Sequence, residues 1–349
     1  MKLRATGILL ALLILVAVMV PAFAAVVDRV DDDVSDVGVE TEAAIGSAEK
    51  DLIMEEGSTA YTPPKGEVIA TLFETHEIES GVVVSDSPFY LDGCQLVGLV
   101  YKQFSSVDYV TVESFMEAMD PEAVVEEKRG AVSVSAVTLS GVMELEGKGA
   151  LNANVEEETL TLRAEKGKHY VEANGRYLYV KNTIKTIDGK VAAPIKVLAQ
   201  VFNLKVKYDD DGLIRLTTKE GADAYLEDGS TYYNSYTLYW LSHIINAESG
   251  NQSLKGKIAV GNVVMNRVKS AKFPNNIKDV IFQKNQFSPA ASGSIYRSPN
   301  KESEIAAKLV MDGAVVVKYA LFFNREGMNT YAARNRTYVT TIGGHDFYN

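Results

Sequence analysis

The chain has 349 residues, enough for two or three domains, and 46% of it is apolar, so packed cores can form. Its single cysteine, Cys94, excludes an internal disulfide framework and, beside Gly93, reads as a small packed residue rather than a nucleophile. The net charge of −11 conceals an asymmetry: residues 236–349 hold 14 Lys and Arg against 7 Asp and Glu, a net of +7, which leaves −18 on residues 1–235. Met1-Lys2-Leu3-Arg4, the apolar run over 5–20 and Ala22-Phe23-Ala24 read as a signal peptide over 1–24, with the remainder exported. An uncleaved anchor is the alternative; with cleavage, no membrane span remains in the mature form. An exported basic segment suits an anionic partner, and the compartment favours wall polymer over nucleic acid, with solvated surface charge as the bland reading. Residues 25–84 read as an acidic flexible segment, from Asp31-Asp32-Asp33 to Pro63-Pro64-Lys65-Gly66, with strand-like stretches of no definite place after it.

Residues 85–220 carry an internal repeat at an offset of 82. Phe89-Tyr90-Leu91-Asp92-Gly93 aligns with Val171-Glu172-Ala173-Asn174-Gly175, and Phe115-Met116 with Val197-Leu198. Gly130-Ala131-Val132-Ser133-Val134-Ser135 aligns with Gly212-Leu213-Ile214-Arg215-Leu216-Thr217. Asp-Gly and Asn-Gly between alternating apolar residues signal hairpins, because both central residues of a type I′ turn need positive φ. Each copy is expected to run hairpin, strand, short helix, then a strand pair turning at Gly130 or Gly212. Lys190-Val191-Ala192-Ala193-Pro194-Ile195-Lys196-Val197-Leu198-Ala199 and Val206-Lys207-Tyr208-Asp209 resemble the copper amine oxidase-like N-terminal domain, a small α+β module found beside exported enzymes. That resemblance implies binding or spacing without chemistry, and glycan or a partner protein could be what it binds. His169 and His76 stand far apart in sequence, so no copper site, no other metal and no cofactor is expected. Residues 221–234, with their Gly, Asp, Ser and Tyr content, read as a linker.

From Tyr236 the pattern turns helical. Leu238, Leu241, Ile244, Ile245 and Glu248 recur at helical spacing, so Glu248 shares a face with Leu241 and Ile244 before the helix stops at Gly250. Burial and the C-terminal end of the helix dipole both favour the protonated form of such a carboxyl, which suits a general acid. The alternative is a buried structural glutamate paired with a Lys or Arg. A second, almost continuously apolar helix is expected over 255–268, ending in Asn266 and Arg267, which either close the helix or orient groups of the site. Phe273-Pro274-Asn275-Asn276 opens a short helix, Gln286-Phe287-Ser288-Pro289 reads as a loop, 302–310 as a helix, and the tail from Tyr331 to Tyr348 turns at Gly343-Gly344.

Five stretches carry a second resemblance. They are Trp240-Leu241-Ser242-His243-Ile244-Ile245-Asn246-Ala247-Glu248-Ser249-Gly250, Gly256-Lys257-Ile258-Ala259-Val260-Gly261-Asn262-Val263-Val264-Met265-Asn266-Arg267-Val268, Phe273-Pro274-Asn275-Asn276-Ile277, Gln286-Phe287-Ser288 and Ile342-Gly343-Gly344-His345-Asp346-Phe347-Tyr348. In order, and across nearly all of 236–349, they resemble the spore cortex-lytic cell wall hydrolase family. The resemblance implies peptidoglycan glycan strands as the partner, a lysozyme-like fold, and Glu248 as the catalytic acid. It also implies lytic transglycosylase activity, which several members use in germination. Many members have an acidic residue where this chain has Gln252, a departure that touches substrate positioning. The expected fold class is therefore multidomain: an α+β repeat module over 85–220, then a mainly α, lysozyme-like catalytic domain over 235–349.

The residue inventory narrows the chemistry. Residues 235–349 hold no cysteine for a thiolate, and His243 and His345 are too few for a zinc hydrolase and form no H-E-x-x-H motif. No G-x-S-x-G elbow occurs. Glycan cleavage remains. Hydrolysis normally uses two carboxyls, with Asp279, Glu302, Glu304, Asp312, Glu326 and Asp346 as candidates for the second. A lytic transglycosylase needs one acid and is the favoured reading, with a hydrolytic muramidase or glucosaminidase and a non-catalytic wall-binding protein as alternatives. Ser249, Gln286, Ser288 and Tyr331 are the expected substrate contacts; Tyr331 also reads as a packed aromatic, and His345 as a cap of the Gly343-Gly344 turn.

Overall fold

The computed structural model describes residues 87–146 and 150–349. The expected signal peptide (1–24) and acidic segment (25–84) lie outside the described residues. The Asp92-Gly93 turn, with both residues at positive φ, joins β1 (Phe89–Leu91) to β2 (Cys94–Gln95). Then come β3 (Tyr101–Phe104), β4 (Val107–Thr111), α1 (Val112–Met119), β5 (Val124–Lys128) and β6 (Ala131–Glu146). Thr111 caps α1 by accepting from the Ser114 amide, and Phe115 and Met116 on that helix are fully buried. β7 (Ala150–Glu165) returns antiparallel along β6, forming a hairpin of 16-residue strands.

The same succession of elements then occurs again: β8 (Tyr170–Ala173), the Asn174-Gly175 turn, β9 (Arg176–Tyr179), β10 (Lys185–Ile187), β11 (Lys190–Pro194), α2 (Ile195–Val201), β12 (Lys205–Tyr208) and β13 (Ile214–Thr217). β4 and β11 pair antiparallel, with Val110 opposite Ala193 and Thr111 opposite Ala192. At the offset of 82, position 110 corresponds to 192 and 111 to 193, so this pairing has a local two-fold relation. Strands are also exchanged. One sheet has the order β12-β13-β1-β2, with β1 parallel to β13; another has the order β5-β6-β7-β8-β9. Phe89, Phe115, Val134, Leu162, Leu198 and Leu216 fill the core between them.

Residues 221–234 are not a free linker. Tyr225 and Leu226 are buried in the first core, and the Tyr225 hydroxyl donates to Asp120 at 2.7 Å. Asp228 then caps the short helix α3 (Gly229–Tyr232). The Gly, Asp and Ser content suggested a spacer, but burial of two large apolar side chains outweighs it.

α4 (Ser235–Ser249) begins at Asn234, whose side chain accepts from the Thr237 amide at 2.9 Å. α5 (Leu254–Val268) begins at Ser253 and is buried along most of its length. α6 (Ile277–Phe282), α7 (Ser288–Ser292) and α8 (Lys301–Met311) surround this pair. The expected loop at Gln286-Phe287-Ser288-Pro289 therefore enters a helix at Ser288, with proline in its first turn. Gly261 sets the spacing of α4, α5 and α8: a Cβ there would lie 2.9 Å from both Ile245 Cδ1 and Val310 Cγ2. The chain closes with β14 (Phe322–Arg325), α9 (Tyr331–Asn335), β15 (Tyr338–Ile342) and β16 (His345–Tyr348), a sheet of order β14-β16-β15 packed on α5. The helical part thus carries a defined three-stranded sheet at its end.

The β8–β9 hairpin packs against α8. Tyr177 belongs to the helical core, and Arg176 forms an ion pair with Asp312, which also accepts the Tyr233 hydroxyl. At the same junction a Cβ on Gly229 would lie 2.6 Å from the Gly175 carbonyl, so only glycine permits that approach. Among the described residues no helix is long and apolar enough to cross a membrane.

Candidate active site

Glu248 sits in the last turn of α4, half-buried, on the face that carries the fully buried Leu241 and Ile244. Burial pushes its carboxyl up to about 7, and the Arg267 guanidinium opposes that rise. The carbonyl end of α4 works in the same direction as burial. No side chain hydrogen-bonds this carboxyl among the described residues. The acid–base pairs of the helical part lie elsewhere. Lys257, almost wholly buried, donates to Glu302 and to the Gln252 carbonyl, and Asp312 is held by Arg176 and Tyr233. Of the two readings open for Glu248, the salt-bridged structural one lacks its partner.

The remaining carboxylates have other occupations. Asp346 accepts from the Thr341 hydroxyl and the Gly327 amide, which hold it below its ordinary range. Asp279 pairs with Asn276 at the start of α6, and Glu304 and Glu326 are exposed. None of them contributes to the shift of Glu248.

Ser249, expected as a substrate contact, is placed otherwise. Its side chain is fully buried and donates to the Ile245 carbonyl at 2.7 Å, so it has no surface to offer a sugar. Gln286 is half-buried between α6 and α7, Ser288 is exposed at the start of α7, and Tyr331 is exposed at the start of α9. Phe287, which separates two of these positions, meets Arg267. Its guanidinium carbon lies 4.9 Å from the ring of Phe287, between Gln286 and Ser288, and 5.5 Å from that of Phe322. Arg336, 4.7 Å from the same Phe322 ring, lies 5.8 Å from the ring of Tyr331. A cavity of about 340 Å³ adjoins this aromatic group, lined by Lys272, Phe273, Leu321, Phe322, Arg336 and Asn349.

α5 supplies the polar groups that fix the facing chain. Asn262 donates to Ala314 and accepts from the Val316 amide, Asn266 donates to Ala320, and Arg267 Nε donates to the Leu321 carbonyl at 2.7 Å. The Gly343-Gly344 turn is held by Gln252, whose Oε1 accepts from the Gly344 amide at 2.9 Å, and not by His345. The His345 ring instead stands edge-on to Phe323, and burial lowers its pKa. Gly343 has φ +60°, and a Cβ there would lie 2.5 Å from Gln252 Oε1. Gln252, the departure noted in the sequence, thus fastens the loop after α4 to the final hairpin.

Residues 251–348 match the family model described as Cell Wall Hydrolase; Glu248 lies just before the matched stretch. A spore cortex-lytic enzyme of Bacillus cereus is 31% identical over 116 residues, 33% of this chain and 45% of that protein. One from Bacillus subtilis is 30% identical over 108 residues, 31% of this chain and 35% of that protein. The chain thus spans less than half the length of these curated relatives. Among solved structures, the catalytic domain of the germination-specific lytic transglycosylase SleB from Bacillus anthracis is 28% identical and is covered over 100% of its length by 36% of this chain, with a TM-score of 0.32. The catalytic domain of the Bacillus cereus SleB protein gives 28% identity and the same TM-score of 0.32.

Proposed function

We infer that this protein cleaves the glycan strands of peptidoglycan as a lytic transglycosylase, with Glu248 as its single acid and base. The observation that carries this reading is Glu248 itself: a half-buried carboxyl with no bonded cation among the described residues, raised to about 7, beside a segment similar to cell wall hydrolases. At neutral pH such a group is protonated in a large fraction of molecules and can still ionise. Protonated Glu248 donates to the glycosidic oxygen that leaves C1 of N-acetylmuramic acid, and the C1–O bond breaks. The resulting carboxylate takes the proton of the muramic C6 hydroxyl, whose oxygen bonds to C1. The products are a free 4-hydroxyl on N-acetylglucosamine and a 1,6-anhydromuramic end, and Glu248 regains its starting proton.

The other carboxylates of the helical part support a one-carboxyl route, because they are tied to Lys257, Arg176, Thr341 or Asn276 or lie exposed. Gln286, Ser288 and Tyr331 are proposed to contact the sugar chain. Residues 85–220 are read as a copper amine oxidase-like module that holds the helical part or binds wall material, in a protein exported to the wall or spore cortex. Digestion of purified vegetative wall and spore cortex, followed by mass spectrometry, tests the reading. Anhydromuramic ends are expected from at least one of them. Reducing ends alone overturn the transglycosylase assignment, and no cleavage of either material overturns the enzymatic one.

A further inference from the structure

The sheet of order β5-β6-β7-β8-β9 has two unlike faces. Val132, Val134, Leu160, Leu162 and Val171 point into the first core, so the residues that alternate with them stand on the opposite face. The register carries one row straight across that face: Glu126 lies opposite Ser133, Ser133 opposite Arg163, Arg163 opposite Glu172, and Glu172 opposite Tyr177. At about 4.8 Å between strands, the row runs ~19 Å from β5 to β9. One end is covered, because Tyr177 is buried in the helical core with the Lys308 ammonium of α8 5.3 Å from its ring centroid. The other end is open, with Glu126, Ser133 and Arg163 exposed.

Two cavities follow this row and meet at Arg163 and Glu172, which line both. The first, of about 520 Å³, spans β5 to β8 and has Ser133, Ser135 and Thr161 in its lining. The second, of about 210 Å³, reaches the start of α8, where Lys301 and Ile305 stand across from Tyr170 and Tyr177. Together they form a trough from the edge of the sheet to the helical part. Its charges balance, with Glu126, Glu165 and Glu172 against Arg163, Lys168 and Lys301. Among the described residues none of these three cations forms an ion pair, although Arg163 and Glu172 face each other across the strands. Glu126 meets only Lys128, in an exposed contact that a ligand can exchange at little cost.

Charges of both signs along a polar floor select the class of ligand. A polyanion would meet three carboxylates, which disfavours nucleic acid, anionic wall polymer and the acidic stretch 25–84 alike. A neutral sugar strand would leave the charges without counterparts. A short peptide that carries carboxylates and an ammonium answers both signs, and about five extended residues at ~3.3–3.6 Å each match the length of the row. In peptidoglycan that description belongs to the stem peptide, whose diamino acid supplies the ammonium. We propose that the trough across the outer face of β5 to β9, closed by α8, binds the stem peptide of peptidoglycan. The proposal rests on the reading of wall material as the substrate. It gives the protein a second hold on the polymer, which keeps a strand at high local concentration while its glycan is cut.

The test is amide NMR of the full chain with a synthetic stem tetrapeptide whose diamino acid has a free ammonium. The amides of Ser133, Thr161, Arg163, Glu172 and Lys301 should shift together, and amidation of the peptide's carboxylates should weaken binding at least about tenfold. Arg163→Gln should weaken it by a similar factor, and Arg163→Lys, which keeps the charge, should lie between that variant and the parent. No shift in the parent at about 10 mM peptide, enough to reveal a Kd of ~1 mM, overturns the proposal whether or not the variants fold. So does a peptide-free glycan chain, or a synthetic peptide copying 25–84, that shifts the same amides at a lower concentration than the stem peptide. Wall digestion run in parallel keeps the two readings apart. Cleavage without peptide binding rejects the trough alone, and peptide binding without cleavage rejects the enzymatic reading alone.

Discussion

Replacing Glu248 with glutamine removes an ionisable proton and nearly preserves the shape of the side chain. Its consequence for stability depends on pH in a calculable way. The Glu248 pKa is displaced from 4.5 to about 7 in the folded chain. At about 1.4 kcal/mol for each pH unit, that displacement corresponds to about 3 kcal/mol. The folded value lies above the unfolded one, so this stability is fully present below pH 4.5 and is lost as the pH rises through 7. Glutamine has nothing to lose over that range. Glu248→Gln should therefore match the parent near pH 4 and exceed it by about 3 kcal/mol near pH 9, which is roughly 6–10 °C in thermal midpoint for a domain of this size. Calorimetry of both proteins at intervals from pH 4 to 9 measures the gap. A gap that stays flat would show that Glu248 ionises as an ordinary surface carboxylate, and the argument for it as an acid would fail. Cleavage of wall by the variant should fall by about 100- to 10,000-fold at every pH.

Two further outcomes concern side chains with structural roles. Asp312→Ala strands the buried Arg176 and should cost about 3–5 kcal/mol in urea denaturation, because one member of a buried pair is left without its partner. Ser249→Ala should leave KM for soluble glycan fragments unchanged and cost no more than about 1 kcal/mol, since its hydroxyl meets only the Ile245 carbonyl.

The part of the site governed by local periodicity was legible in the sequence. The spacing of Leu241, Ile244 and Glu248 placed that carboxyl on the apolar face of α4, and the helix runs as that spacing requires. Ser249 was misread because adjacency in sequence is not adjacency on a helix: one residue further on, the side chain turns by about 100° and enters the core. The pairing of Arg176 with Asp312 joins residues far apart in the chain, and no local pattern signals it. Residues 221–234 read as a spacer because of their Gly, Asp and Ser content, and the anchoring role of Tyr225 and Leu226 depends on a core assembled from segments far apart in the chain. Arg267 carried a usable signal, a cation closing an otherwise apolar helix, but its aromatic collar comes from three separate segments.

The exchange of strands between the two halves of the module bears on how the chain matures. Phe89, near the start of the described chain, pairs with Ile214 in a parallel ladder. A polypeptide that emerges N-terminus first must keep β1 waiting, one edge open, until β13 has followed it. The sheet of order β12-β13-β1-β2 therefore closes only once Ile214–Thr217 has followed, and still before α8 (Lys301–Met311), on which the β8–β9 hairpin docks, has been made. Once it has closed, the first and last strands of the module share one ladder, so neither can be pulled away without opening an edge of the other.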